Sequence, residues 1–108
     1  MVIRGGYNIY PREVEDLIYT CAGVQEVVII GVPDPVLGEK TCACIRLQPN
    51  AKMIDAEIKD FCRGKLADYK VPDYVRFFES FPQTPTGKLH RVRLKEQVLL
   101  AMISAKTQ

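Results

Sequence analysis

Residues 24–48, VQEVVIIGVPDPVLGEKTCACIRLQ, carry the reading on which the fold turns. The run 24–32 is β-branched and too apolar for an exposed strand, which predicts a central place in a sheet. Pro33-Asp34-Pro35 and Gly38 punctuate a turn. Residues 40–48 then alternate, with Ala43, Ile45 and Leu47 on one face and Cys42, Cys44 and Arg46 on the other. A connection this short makes the two strands antiparallel neighbours and argues against a doubly wound parallel sheet, which needs long crossovers.

Outward from this pair, the N-terminal side holds Val2 to Tyr10, apolar on both flanks of Gly5-Gly6. Paired glycines there predict a tight turn or a backbone that approaches something closely. Pro11 suits the first position of a helix, and Glu13, Glu15 and Asp16 lie where the helix dipole favours acids. Val14, Leu17, Ile18 and Cys21 follow the spacing of one buried helical face, which Gly23 ends.

On the C-terminal side, Pro49-Asn50 turns the chain. A second helix is predicted from about Asp55 to Leu66, with Ile58, Phe61, Cys62 and Leu66 on one stripe. Beyond Pro72, Tyr74 to Phe78 reads as a third strand. Residues 80–88, SFPQTPTGK, read as a loop with no local reason to stay ordered without a partner. A last helix starts near Arg91 with Leu94 and Val98 one turn apart, and its tail is expected to fray after about Ser104. The expected fold is α+β: a three-stranded, mainly antiparallel sheet covered by helices, preceded by a short β-hairpin-like element, in one domain over residues 1–108.

Composition narrows the classes of function. With 108 residues, 47% hydrophobic and 26% charged, the chain has the balance of a globular domain and not of a disordered one. No apolar run reaches the ~18–20 residues of a membrane span, and MVIRGGYNIY lacks the apolar stretch of a signal peptide. Four cysteines and one histidine do not form the paired spacings of a zinc site. Buried, reduced thiols are expected instead, with no metal site and a cytoplasmic compartment.

Three places offer chemistry. TPTGK, residues 84–88, is not a phosphate-cradling P-loop, because Pro82 stands where the earlier glycine belongs and Leu89 follows the lysine. It does put Lys88 on a glycine-hinged loop, a point charge able to reach an oxyanion; by spacing alone, a plain surface lysine fits better. GGYNIYPREVE, residues 5–15, offers backbone that approaches a ligand at Gly5 and Gly6, with Tyr7 and Tyr10 beside it, or simply a hairpin feeding a helix. Tyr69-Lys70 has the form of an aromatic-plus-cation grip on a nucleotide, and equally that of a helix end with a favourable lysine. The basic cluster Lys88, Arg91, Arg93 and Lys95 suits an anionic partner or a solvated helix start. No catalytic set is complete, since His90 sits among cations with no acid near it in sequence.

Taken together, these segments resemble the C-terminal domain of the adenylate-forming enzymes: acyl-CoA synthetases, luciferases and peptide-synthetase adenylation domains. GGYNIYPREVE resembles the eighth core motif of that superfamily and PQTPTGKLHR (82–91) its tenth; VPDPVLGEK (32–40) and LADYKVP (66–72) match shared stretches between them. The GG-x-N-I-x-P form is most similar to the acyl-CoA and aryl-CoA synthetases. The resemblance implies a mobile C-terminal domain whose N-terminal adenylation domain is absent here, with the hinge residue immediately before Met1. It implies a two-step reaction, in which a carboxylic acid and Mg²⁺-ATP give an acyl-adenylate and coenzyme A then displaces AMP. Lys88 would serve the first step. Gly5, Gly6 and Tyr7 would line the pantetheine tunnel in the second, with Tyr69 and Lys70 as further cofactor-binding residues. ATP and Mg²⁺ would be held mainly by the absent domain, so the isolated chain is expected to be inactive. A carrier-protein acceptor is the neighbouring alternative, and a free-standing nucleotide or nucleic-acid binder the distant one; no nucleic acid is the expectation.

Overall fold

The structure is a computed structural model that describes residues 1–106. Strands β1 (Val2–Arg4) and β2 (Tyr7–Ile9) form a hairpin, and Pro11 opens α1 (Pro11–Tyr19). The long pair β3 (Val24–Asp34) and β4 (Gly38–Leu47) follows, then α2 (Asp55–Cys62) and a 3₁₀ turn (Asp68–Lys70). Strand β5 (Tyr74–Phe77) and α3 (Arg91–Lys106) complete the chain. Residues 107–108, the very end of the tail expected to fray, lie outside the described residues; up to Lys106 the tail is helical.

β3 and β4 pair antiparallel over nearly their whole length, as their short connection requires. In the turn between them the Asp34 carboxylate accepts the Val36 and Leu37 N–H groups at 3.1 and 2.8 Å. These bonds, that from Leu37 foremost, hold the Asp34 carboxyl below its usual pKa. On its other edge β4 takes β5 in parallel, from Cys42–Tyr74 to Ile45–Phe77, and β1 at the Arg4–Gly38 step. The hairpin is therefore part of the same sheet, which has five strands.

The expected central place of the 24–32 run is not what the structure shows. The central strand is β4; β3 is at an edge of the sheet, pairing with β4 alone among the described residues. Its apolar run reflects cover on both faces, not pairing on both edges. Val27 and Ile29 face α1 and α2, in a core with Ile9, Val14, Ile18, Ala43, Ile45 and Ile58. Val28, Ile30 and Val32 face α3, in a second core with Cys42, Cys44, Leu94 and Val98. The Glu15 carboxylate on α1 accepts the Ile29 N–H at 2.8 Å and so occupies one donor of the exposed edge.

The two-residue alternation of β4 is as expected, and it separates the two cores. All four cysteines are buried and unpaired. The Cys44 thiol is pushed up in pKa by its hydrogen bond with Cys42 and then by burial; burial raises Cys21 and Cys62 as well. Helix α2 is shorter than its stripe suggested, ending at Cys62 before Gly64 at φ +81°. Leu66 still packs on the first core, outside the helix.

Candidate functional site

The sequence candidates fall into two places on opposite faces of the sheet. Tyr69 packs against the first core, while Phe81 and Leu89, which flank the Lys88 turn, pack against the second.

The first place is a corner built from three segments. Gly5 and Gly6 turn the β1–β2 hairpin at φ +58° and +87°, the left-handed pair that a two-residue hairpin loop demands. The Gly5 N–H donates to the Leu37 carbonyl at 2.9 Å, which seats this turn on the β3–β4 turn. Tyr7, 57% exposed, stacks on Tyr69 with ring centroids 4.4 Å apart. Lys70 lies 5.7 Å from the centre of the Tyr69 ring and pairs with Glu13 of α1 at 2.9 Å. That hydrogen bond raises the Lys70 pKa. The structure thus joins four sequence candidates, Gly5, Gly6, Tyr7 and Tyr69, into one exposed surface. It brings Lys70 to the rim with its charge already partnered.

Beneath this corner is a polar node that the sequence did not announce. The Asp73 carboxylate accepts from Arg4 Nε at 3.0 Å and Nη2 at 2.8 Å, a two-pronged pairing, and from the Thr41 N–H at 2.9 Å. The Asp73 N–H in turn donates to the Thr41 carbonyl at 3.1 Å. Thr41 is 1% exposed, and the hydrogen bond from Arg4 to Asp73 raises the Arg4 pKa above its usual value. Arg4 directly precedes the glycines and Asp73 follows Lys70 by three residues, so one carboxylate ties both sides of the corner to β4.

The second place is the Lys88 turn. The loop expected to lack internal order closes on itself: Gln83 bridges Leu89, the Gly87 N–H donates to the Thr84 carbonyl at 2.9 Å, and the Thr84 N–H donates to the Lys88 carbonyl at 2.7 Å. Pro85 in second place and Gly87 at φ +85° supply the turn chemistry, and the Thr84 and Thr86 hydroxyls lie 3.0 Å apart. The Pro-x-Gly pattern was the overlooked signal. Lys88 is exposed, and among the described residues no carboxylate is within ion-pair distance of it. His90 is spent on structure, its Nδ1 accepting the Arg93 N–H at 3.2 Å at the start of α3. Among the described residues no three His, Cys, Asp or Glu side chains are placed together to hold a metal ion. No described helix is long and apolar enough to cross a membrane.

Comparison with known proteins identifies the class. The AMP-binding enzyme C-terminal domain profile matches residues 13–88, and the chain belongs to that family. Its relatives are acyl-CoA ligases. It is 48% identical over 98 residues to the mitochondrial medium-chain acyl-CoA ligase ACSF2 of Bos taurus, covering 91% of this chain and 16% of that protein. It is 41% identical over 99 residues to the putative acyl-CoA synthetase YngI of Bacillus subtilis, covering 92% of this chain and 18% of the relative. Among solved structures, a Mycobacterium tuberculosis fatty acyl CoA synthetase superposes with TM-score 0.82 at 41% identity, over 90% of this chain and 19% of the other. ATP-bound MatB from Rhodopseudomonas palustris superposes with TM-score 0.85 at 34% identity, over 90% and 19%. The chain thus spans about a sixth to a fifth of the length of these proteins.

Proposed function

We propose that this chain acts as the mobile C-terminal domain of an AMP-forming acyl-CoA ligase and presents a different face in each of two half-reactions. The observation that carries the reading is the placement of the two motif regions on opposite faces of one sheet. No single orientation against a fixed substrate site serves both; a rotation between steps does. In the first step a carboxylate oxygen attacks the α-phosphorus of ATP, the bond to the pyrophosphate leaving group breaks, and an acyl-adenylate forms. Lys88, exposed at the base of a short closed turn and without a carboxylate partner among the described residues, neutralises charge gathering between carboxylate and α-phosphate. In the second step the coenzyme A thiol displaces AMP. The Gly5-Gly6 turn, lacking side chains, lies along the pantetheine arm, with Tyr7 and Tyr69 as its wall and Lys70 at the rim.

The partner is the N-terminal adenylation domain of the same enzyme, which would hold ATP, the acid and the Mg²⁺ that accompanies ATP. Four unpaired thiols support a reducing compartment, with cytoplasmic as the assignment; the word mitochondrial belongs to the names of the ACSF2 relatives. The test is Lys88→Ala in the ligase that carries this domain, with the half-reactions measured separately. Acyl-adenylate formation should fall by about 10²–10³-fold or more, while thioester formation from supplied acyl-adenylate persists. Equal loss in both would refute the division of labour, and turnover on a carrier protein without coenzyme A would move the acceptor to the alternative.

A further inference from the structure

We propose that the Arg4–Asp73–Thr41 node is a positioning device for the thioester step, holding the glycine turn in register with the Tyr69 wall. The inference rests on the proposed role of the glycine corner in that step.

The corner is otherwise weakly held. β1 meets β4 at the single Arg4–Gly38 step, helped by the Gly5 N–H to the Leu37 carbonyl and by the Ile3 N–H, which donates to Glu39 Oε1 at 3.1 Å. The opposite wall, Asp68–Lys70, is one short 3₁₀ turn. The Tyr7–Tyr69 stack between them is half exposed and fixes contact without fixing depth. Asp73 supplies what these lack. Its carboxylate meets Arg4 through two nitrogens, which sets direction as well as distance, and its third bond goes to the backbone of the central strand. The Asp73 and Arg4 side chains are 14% and 26% exposed, so solvent competes little for the pair. Stability alone does not require this geometry, because the hydrophobic anchors Val2 and Ile9 already hold the hairpin to the first core. What the node adds is the relative placement of two surface segments distant in sequence that meet at one ligand face.

The test uses the ligase that carries this domain with Asp73→Asn, Arg4→Lys and, as a reference, Gly6→Leu. Both half-reactions, KM for coenzyme A and the unfolding temperature are measured. Asp73→Asn should slow thioester formation from supplied acyl-adenylate by about ten- to a hundredfold, with adenylate formation within about twofold of wild type. Arg4→Lys keeps the charge but loses the planar fork, so it should show the same split with a smaller loss, even if Asp73→Asn folds poorly. Loss in both half-reactions in step with a lowered unfolding temperature, or no loss in either, would overturn the inference. Gly6→Leu separates the two readings. If it blocks thioester formation while the node variants leave that step intact, only the node inference fails; if it leaves the step intact, the proposed role of the corner fails first.

Discussion

The glycine corner and the Lys88 turn are both short loops, and they are held in opposite ways. The corner is assembled from residues 5–7, 37 and 69–73, fixed by a stack, an ion pair and one buried-side carboxylate. The Lys88 turn is largely local: hydrogen bonds join residues 82–90 to one another, Phe81 and Leu89 pack on the second core, and His90 ties its end to the start of α3. A surface shaped for a ligand needs relative placement of several segments, whereas a single reaching charge needs a stiff stalk and an unclaimed head group. Lys88 against Lys70 makes the same point, one without a carboxylate partner among the described residues and one bound to Glu13.

The largest separation between the regions is expected from Lys88→Ala, with its loss confined to adenylation; the unfolding free energy of the domain should move by less than about 0.5 kcal/mol, since an exposed side chain without partners is removed. Core truncation should break the comparison from the other side. Ile9 is fully buried on β2, and Ile9→Ala should cost about 2–5 kcal/mol in denaturant unfolding. Because Ile9 anchors the glycine hairpin to the first core, amide exchange at residues 2–9 should rise well before exchange in the Lys88 turn. Uniform exposure of both regions would mean that the two faces open as a single unit.

Glycine substitutions sharpen the contrast at smaller amplitude. Gly5→Ala and Gly87→Ala both force an L-residue into left-handed backbone, worth about 1–2 kcal/mol each. A Cβ at Gly5 would also lie 3.1 Å from Leu37 Cδ2, while at Gly87 it meets open space. Gly5→Ala should therefore be the more destabilising in thermal unfolding, and reversal of that order would show that the corner is the more yielding of the two.

How far sequence reading carried follows the same line. Periodicity located α1, β3, β4 and the buried Leu94–Val98 stripe, because burial on one or two faces leaves a local pattern. The edge position of β3 was not legible, since a helix on each face produces the same apolar run as two flanking strands. In the site, Gly5-Gly6 and Tyr69-Lys70 were visible as separate candidates. Their union was not, because Tyr7 and Tyr69 meet only through the packing of α1 and the 3₁₀ turn on one face. Arg4 and Asp73 carried no signal at all: each is an ordinary charged residue until β4 sets them opposite one another, 69 positions apart. The order within the Lys88 turn, by contrast, was there to be read in Thr84-Pro85-Thr86-Gly87.

The smallest effect concerns the claimed lysine. The hydrogen bond to Glu13 raises the Lys70 pKa above its ordinary 10.5, so the charged form is favoured in the folded chain. A raised pKa contributes stability that is fully present below the unfolded value and is lost as pH rises through the folded one. The stability difference between wild type and Lys70→Met should then be flat from about pH 7 to about pH 9 and shrink as pH climbs past about 10.5. Denaturant unfolding of both proteins across that window measures it. A difference that persists undiminished in strong alkali would mean that Lys70 acts through its methylene stem against Tyr69 and not through the ion pair, leaving the rim of the corner without its electrostatic tie to α1.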